Sequence, residues 1–146
     1  MRPALQTENA RVSVSTTSRY LLLSTVSGLL WGLVGVAIGR SVFHDTVWGG
    51  LIASPLIGLI AGLAARPLIH APIGGLAILA LANLHLAAAL FGLASGLYDW
   101  IIRHGRTFEL VFQDIPIVLW GLTVSGWVFL LWPLAVANHR CLARWA

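Results

Sequence analysis

The chain contains no lysine, one cysteine and one methionine, and its five acidic residues stand against nine arginines. Each shortage removes a class of chemistry. A lone cysteine, Cys141, excludes an intrachain disulfide and any cysteine-rich metal site. With Met1 the only methionine, no thioether inside the chain is available to a haem iron. Charged residues make up 10% of the sequence and hydrophobic ones 58%, which excludes an ordinary soluble domain. The basic excess is spread along the chain rather than clustered, so no nucleic-acid partner is expected.

What the chain does have is apolar length, with a mean hydropathy of +0.87. A helix crosses the hydrocarbon core, about 30 Å thick, with about 20 apolar residues. Windows of that size free of acidic and basic residues lie between Arg19 and Arg40, between Asp45 and Arg66, from Ala71 to Tyr98, and from Ile115 to Asn138. They predict an all-α membrane protein, a four-transmembrane-helix bundle with spans over residues 20–40, 46–66, 72–98 and 115–138 inside one domain of residues 19–140. The polar, Ser/Thr-rich residues 1–18 are expected to form a mobile cytoplasmic tail, and residues 141–146 a short second one. The first apolar run is longer than a signal-peptide core and is expected as a retained anchor.

Orientation follows from arginine. With the N-terminus inside, Arg2, Arg11, Arg19, Arg66, Arg140 and Arg144 face the cytoplasm, and Arg40, Arg103 and Arg106 face out. That bias predicts both termini inside, in a multi-pass protein of a bacterial inner membrane. Between the third and fourth spans, "WIIRHGRTFELVFQD" places Ile101, Phe108, Val111 and Phe112 on one helical face, as a short amphipathic segment at the outer interface would. Asp114 and Pro116 mark the start of the fourth span, and Pro133 is expected to kink its end.

Small residues recur at four-residue intervals, the spacing that lets two helix backbones approach closely. Gly28, Gly32, Gly35 and Gly39 line the first span, Gly58 and Gly62 the second, and Gly92 and Gly96 the third; these are the expected helix-packing positions.

The third span alone holds a titratable side chain, His85. An ionisable group at membrane depth is expensive unless it finds partners, and so it marks a candidate site. On a helical net His85 shares a stripe with Ala88, Ala89, Gly92, Ser95 and Gly96, so it is expected to face other helices, with Trp31, Trp127, Thr123 and Gly58 at similar depth. Asn83 lies about 200° round the same helix and is expected to clasp another helix or to face an oligomer partner. At the outer surface His44, Asp45, Asp99, Arg103, His104, Arg106, Glu109 and Asp114 form a mixed-charge cluster, in which Asp45, Asp99, Arg103 and Arg106 are the strongest candidates. Exposed pairs of this kind contribute about 0–1 kcal/mol.

Enzyme chemistry finds no foothold. His85 and Asp99 sit about 21 Å apart on one helix, and "GLASG" is neither a nucleophile elbow nor the serine motif of rhomboid-type proteases. No catalytic residue, metal or cofactor is expected. The first span also lacks the acidic residue that marks small four-span multidrug exporters. Two functions follow as expectations: a non-enzymatic scaffold or accessory subunit of a membrane complex, or a small oligomeric transporter or channel working through His85. The expected partners are the lipid bilayer and either further copies of this chain or a larger membrane complex.

Overall fold

The computed structural model describes residues 3–43, 48–103 and 107–145, with side chains described for 16–41, 48–103 and 107–145. Every regular element among them is helical: α1 (Pro3–Phe43), α2 (Trp48–Ala65) with a 3-10 turn at Arg66–Leu68, α3 (Ile73–Ile102), a 3-10 segment at Phe108–Gln113, α4 (Asp114–Val124) and α5 (Trp127–Ala143). The segments Thr16–Ser41, Trp48–Leu68 and Ile73–Ile102 are long and apolar enough to cross a membrane. The pair formed by Phe108–Val124 and Trp127–Ala143 meets that standard only when taken together. The bundle is therefore all-α and suited to a multi-pass membrane protein.

Helix α1 runs back through the polar residues expected as a tail, to Pro3. Proline is tolerated in a first turn, and neither glycine nor proline follows before Gly28. Serine and threonine weaken a helix only mildly, and a helix nucleated in the apolar span extends one bond per residue. The Arg66 guanidinium donates to Thr17 Oγ1 at 2.7 Å, fixing the lower part of α1 to the end of α2.

Helices α1 and α2 meet backbone to backbone. A Cβ on Gly28 would lie 2.6 Å from the Gly58 Cα, while Ser54 occupies the space above Gly32 and Ser24 the space above Gly62. The pairs 24·62, 28·58 and 32·54 step by four residues in opposite senses, the register of an antiparallel pair sharing one small-residue seam. Tyr20 closes its lower end, donating from its hydroxyl to the Gly62 carbonyl at 2.7 Å.

On α3 the Phe91 ring fills the space in front of both Gly35 and Gly50. The Gly50 N–H donates to Ser95 Oγ at 3.2 Å. Higher up, a Cβ on Gly92 would lie 2.7 Å from the Asp114 carbonyl oxygen, and one on Gly96 would run into the Val111 carbonyl. These contacts seat α4 against α3.

The segment expected as a fourth span is not one helix. Its two halves are bent by 91° at Ser125–Gly126, rather than kinked at Pro133, which lies inside α5. Gly126 adopts φ 78°, the left-handed conformation glycine reaches without a Cβ clash. Its N–H donates to the Thr123 carbonyl at 3.4 Å, and the hydroxyls of Thr123 and Ser125 bond back to the carbonyls of Leu119 and Gly121. Helix α4 thus carries a complete terminus of its own. The pair starts beside Gly96, passes Leu84 with Leu122 and Leu131, and ends where Leu142 packs on Tyr20 and Ile69.

The expected interfacial segment is shorter than its hydrophobic pattern suggested. Helix α3 continues to Ile102, and after residues 104–106, which lie outside the described ones, only the 3-10 segment remains. Val111 is fully buried on Gly96, while Trp100, Phe108 and Phe112 stack edge to face with centroids 5.1 and 5.7 Å apart. These three rings are exposed.

Candidate functional site

The interior of the bundle is not filled. Helices α1 and α2 are welded by glycine, and α3 is welded to both α2 and α4, but α1 and α5 touch at few points. A cavity of about 150 Å³ lies between them, walled by α1, α2, α3 and α4 and bounded on one side by α5. Its upper walls are Gly35, Ile38, Leu84, Ala88, Phe91 and their neighbours. Polar groups are concentrated at the other end, near Ser24, Ser27, Asn83, Asn138 and His139.

Asn83 organises that end. Its side-chain nitrogen lies 3.1 Å from the Ala61 carbonyl of α2 and 3.3 Å from His139 Nε2 of α5. An amide nitrogen carries two hydrogens, one for each acceptor, so Nε2 accepts and the His139 proton resides on Nδ1. That Nδ1–H has no hydrogen-bond partner, although His139 is only 5% exposed. Ser24, 1% exposed, is wedged on Gly62 of α2 beside the Tyr20 side chain. Beside them, Ser27 on α1 donates to Asn138 Oδ1 on α5 at 3.0 Å. Asn83 thus links α5 to α3 and α2, Ser27 ties it to α1, and the Trp132 indole N–H donates to the Ala77 carbonyl of α3 at 2.7 Å.

The residue expected to face the bundle does something else. His85 is half-buried, does not line the cavity, and places Nδ1 2.8 Å from the Leu81 carbonyl of its own helix. The inward face of α3 runs through Leu76, Ala80, Leu84, Phe91, Gly92, Ser95 and Gly96. His85 lies one residue, or about 100°, off that line in the lower half. The stripe drawn from His85 to Gly96 holds in the upper half only, where α4 joins α2 on α3, whereas α2 and α5 cover the lower part.

Trp31 and Trp127, the neighbours expected for His85, pack instead on the Leu84, Leu122 and Leu131 cluster. Thr123 is exposed and bonded within α4. Gly39 is buried on α1. In the outer cluster Asp99 and Arg103 form an i,i+4 pair at 3.5 Å on the surface of α3. His44, Asp45, His104 and Arg106 lie outside the described residues, so the proposed grouping of Asp45 and Arg106 with that pair falls there too.

His139 and Asn138 are the functional candidates that sequence reasoning passed over. The apolar window ends at Asn138, one residue before His139, and Arg140 follows. A usable signal was present: Leu131, Ala135, Asn138, His139 and Leu142 recur at helical spacing, a stripe with two polar members. Comparison with protein-family models, curated proteins and solved structures finds no significant match for this chain.

Proposed function

We propose that this chain is a four-crossing membrane bundle with both termini on the cytoplasmic side, acting as a non-enzymatic scaffold or accessory subunit of a membrane complex. The observation that carries the reading is the glycine seam. Where Gly28 meets Gly58 and Gly92 meets Asp114, the helices touch at main-chain distance and have little freedom to slide. A plate this rigid is suited to holding partners in register. The position of Leu142 beside Tyr20 and Ile69 supports a broken fourth crossing, because the pair starts at one end of the bundle and finishes at the other.

Native mass spectrometry of the tagged protein, released in mild detergent from its source membrane, tests the assignment. Additional mass from another chain is the expected result. Peaks only at multiples of 15.7 kDa would overturn the accessory-subunit reading.

The cavity favours a second reading, a small oligomeric transporter, in which the Asn83–His139 pair takes the part first given to His85. It predicts solute or proton flux in proteoliposomes that His139→Ala abolishes and His85→Ala leaves intact.

A further inference from the structure

Helices α1 and α5 run side by side without closing on each other. Ser27 of α1 bonds Asn138 of α5, and farther up Leu30, Trp31 and Val34 line an open groove with Leu134. Residue numbers rise along α1 as they fall along α5, so the pair is antiparallel with a fixed register. Leu30 and Leu134 are both exposed, which turns this groove away from the bundle interior and toward lipid.

Below the Ser27–Asn138 bond the same flank becomes cationic. At about 100° per residue, Arg19 lies about 80° round α1 from Ser27, on the side of Leu30. Thr17, which accepts from Arg66 of α2, lies on the other side. Arg144 lies about 120° round α5 from Asn138, on the side of Leu134 and away from His139, which meets Asn83. In an antiparallel pair these equal senses of rotation turn to one side, so both arginines flank the groove. They sit at similar depth, about 12 Å and about 9 Å below the Ser27–Asn138 bond. Arg140, by contrast, lies about 160° from Asn138, on the far flank of α5.

Charge and length select the occupant. Arg19 and Arg144 are exposed, and neither has a hydrogen bond or ion pair among the described residues. The described acids Asp99, Glu109 and Asp114 belong to the other end of the bundle. A guanidinium presents a planar fork of donors that matches phosphate oxygens, and two such forks suit an anion better than a headgroup carrying its own cation. The rise from Arg19 to Leu30 is about 16 Å, close to half of a hydrocarbon core about 30 Å thick. The groove thus spans one leaflet, with the exposed Trp145 ring at headgroup level. We propose that the groove between α1 and α5 binds one anionic phospholipid, its phosphate held between Arg19 and Arg144 and an acyl chain lying on Leu30 and Leu134. The inference requires only that the bundle lie in a bilayer, so its failure would leave the scaffold reading untouched.

The test is native mass spectrometry of the purified protein in detergent, titrated with phosphatidylglycerol or with phosphatidylcholine of the same acyl chains. One phosphatidylglycerol should be retained at concentrations where phosphatidylcholine is not. Arg19→Gln and Arg144→Gln should each weaken retention about fivefold, the effect of one arginine near an anionic headgroup. Arg140→Gln removes the same charge from the same end, off the groove, and should leave retention unchanged. All three positions are exposed, so the variants should fold, and helical content checks that they do. Phosphatidylglycerol with a diazirine in its acyl chain should label Leu30 and Leu134. Equal retention of phosphatidylcholine would overturn the proposal, as would adducts confined to other exposed residues such as Ile52 and Ile78. So would an Arg140→Gln protein weakened as much as Arg19→Gln, which would assign the effect to the charge of the whole end, or displacement by inorganic phosphate as readily as by phosphatidylglycerol.

Discussion

Two neighbouring residues of α3 exchange the roles their chemistry first suggests. Histidine is the more conspicuous group at membrane depth, yet His85 is satisfied by the Leu81 carbonyl, while the amide of Asn83 bridges α2 and α5. Asn83→Leu strands the Ala61 carbonyl, already bonded within its helix, at little cost, but it leaves His139 with both ring nitrogens unpaired. Unfolding in detergent, followed by tryptophan fluorescence, should therefore show a loss of about 1–3 kcal/mol for this variant. His85→Leu removes only a bond within one helix and should cost less than about 0.5 kcal/mol, as substitutions away from packed or networked positions do. The opposite order of stabilities would return His85 to the centre of the bundle. The contrast within this pair has a physical reason. Periodicity locates an apolar or small face but not which helix covers it, and on a helix as long as α3 different partners cover different lengths, so the inward line need not follow one stripe.

Among the elements, the glycine seams were legible in the sequence because their cause is local: a four-residue spacing of missing side chains permits close approach wherever a second helix arrives. The break between α4 and α5 is also written there, in the Ser125-Gly126 dipeptide rather than in Pro133. Pro133 lies inside α5 without ending it, freeing only the carbonyl four residues before it, whereas at Thr123, Ser125 and Gly126 the chain leaves the α4 helix altogether. Gly126→Ala should destabilise the protein by about 1–2 kcal/mol, the cost of holding an L-residue in the left-handed region. Pro133→Ala should leave the bend unchanged. Spin labels at Ile117→Cys and Leu134→Cys on a Cys141→Ser background measure it, and a longer distance in the proline variant would move the origin of the bend to Pro133. At the other seam, Gly58→Leu forces a side chain against the Gly28 main chain and should cost about 1–3 kcal/mol or more in the same unfolding assay.

For the whole molecule, the decisive relation is between the ends of the broken pair and the ends of the three long helices. Val111 sits at the end of the bundle where α3 finishes, and Leu142 at the end where α2 turns into α3, together with Tyr20. The described arginines divide along the same axis: Arg19, Arg66, Arg140 and Arg144 at the end of Tyr20 and Leu142, Arg40 and Arg103 at the other. Under the proposed orientation the arginine-rich end is the cytoplasmic one, and a pair that passes from one end of the bundle to the other delivers the C-terminus there. A re-entrant pair would instead return α5 to the end it started from, which is difficult to reconcile with Leu142 lying on Tyr20 and Ile69. The sequence also provides its own reporter, since Cys141 is the single cysteine and is exposed. A membrane-impermeant maleimide should label it in inside-out vesicles and not in intact spheroplasts. Labelling only in spheroplasts would place the C-terminus outside, and with α1 and α5 still joined by Ser27 and Asn138 it would invert the whole bundle rather than its last crossing alone.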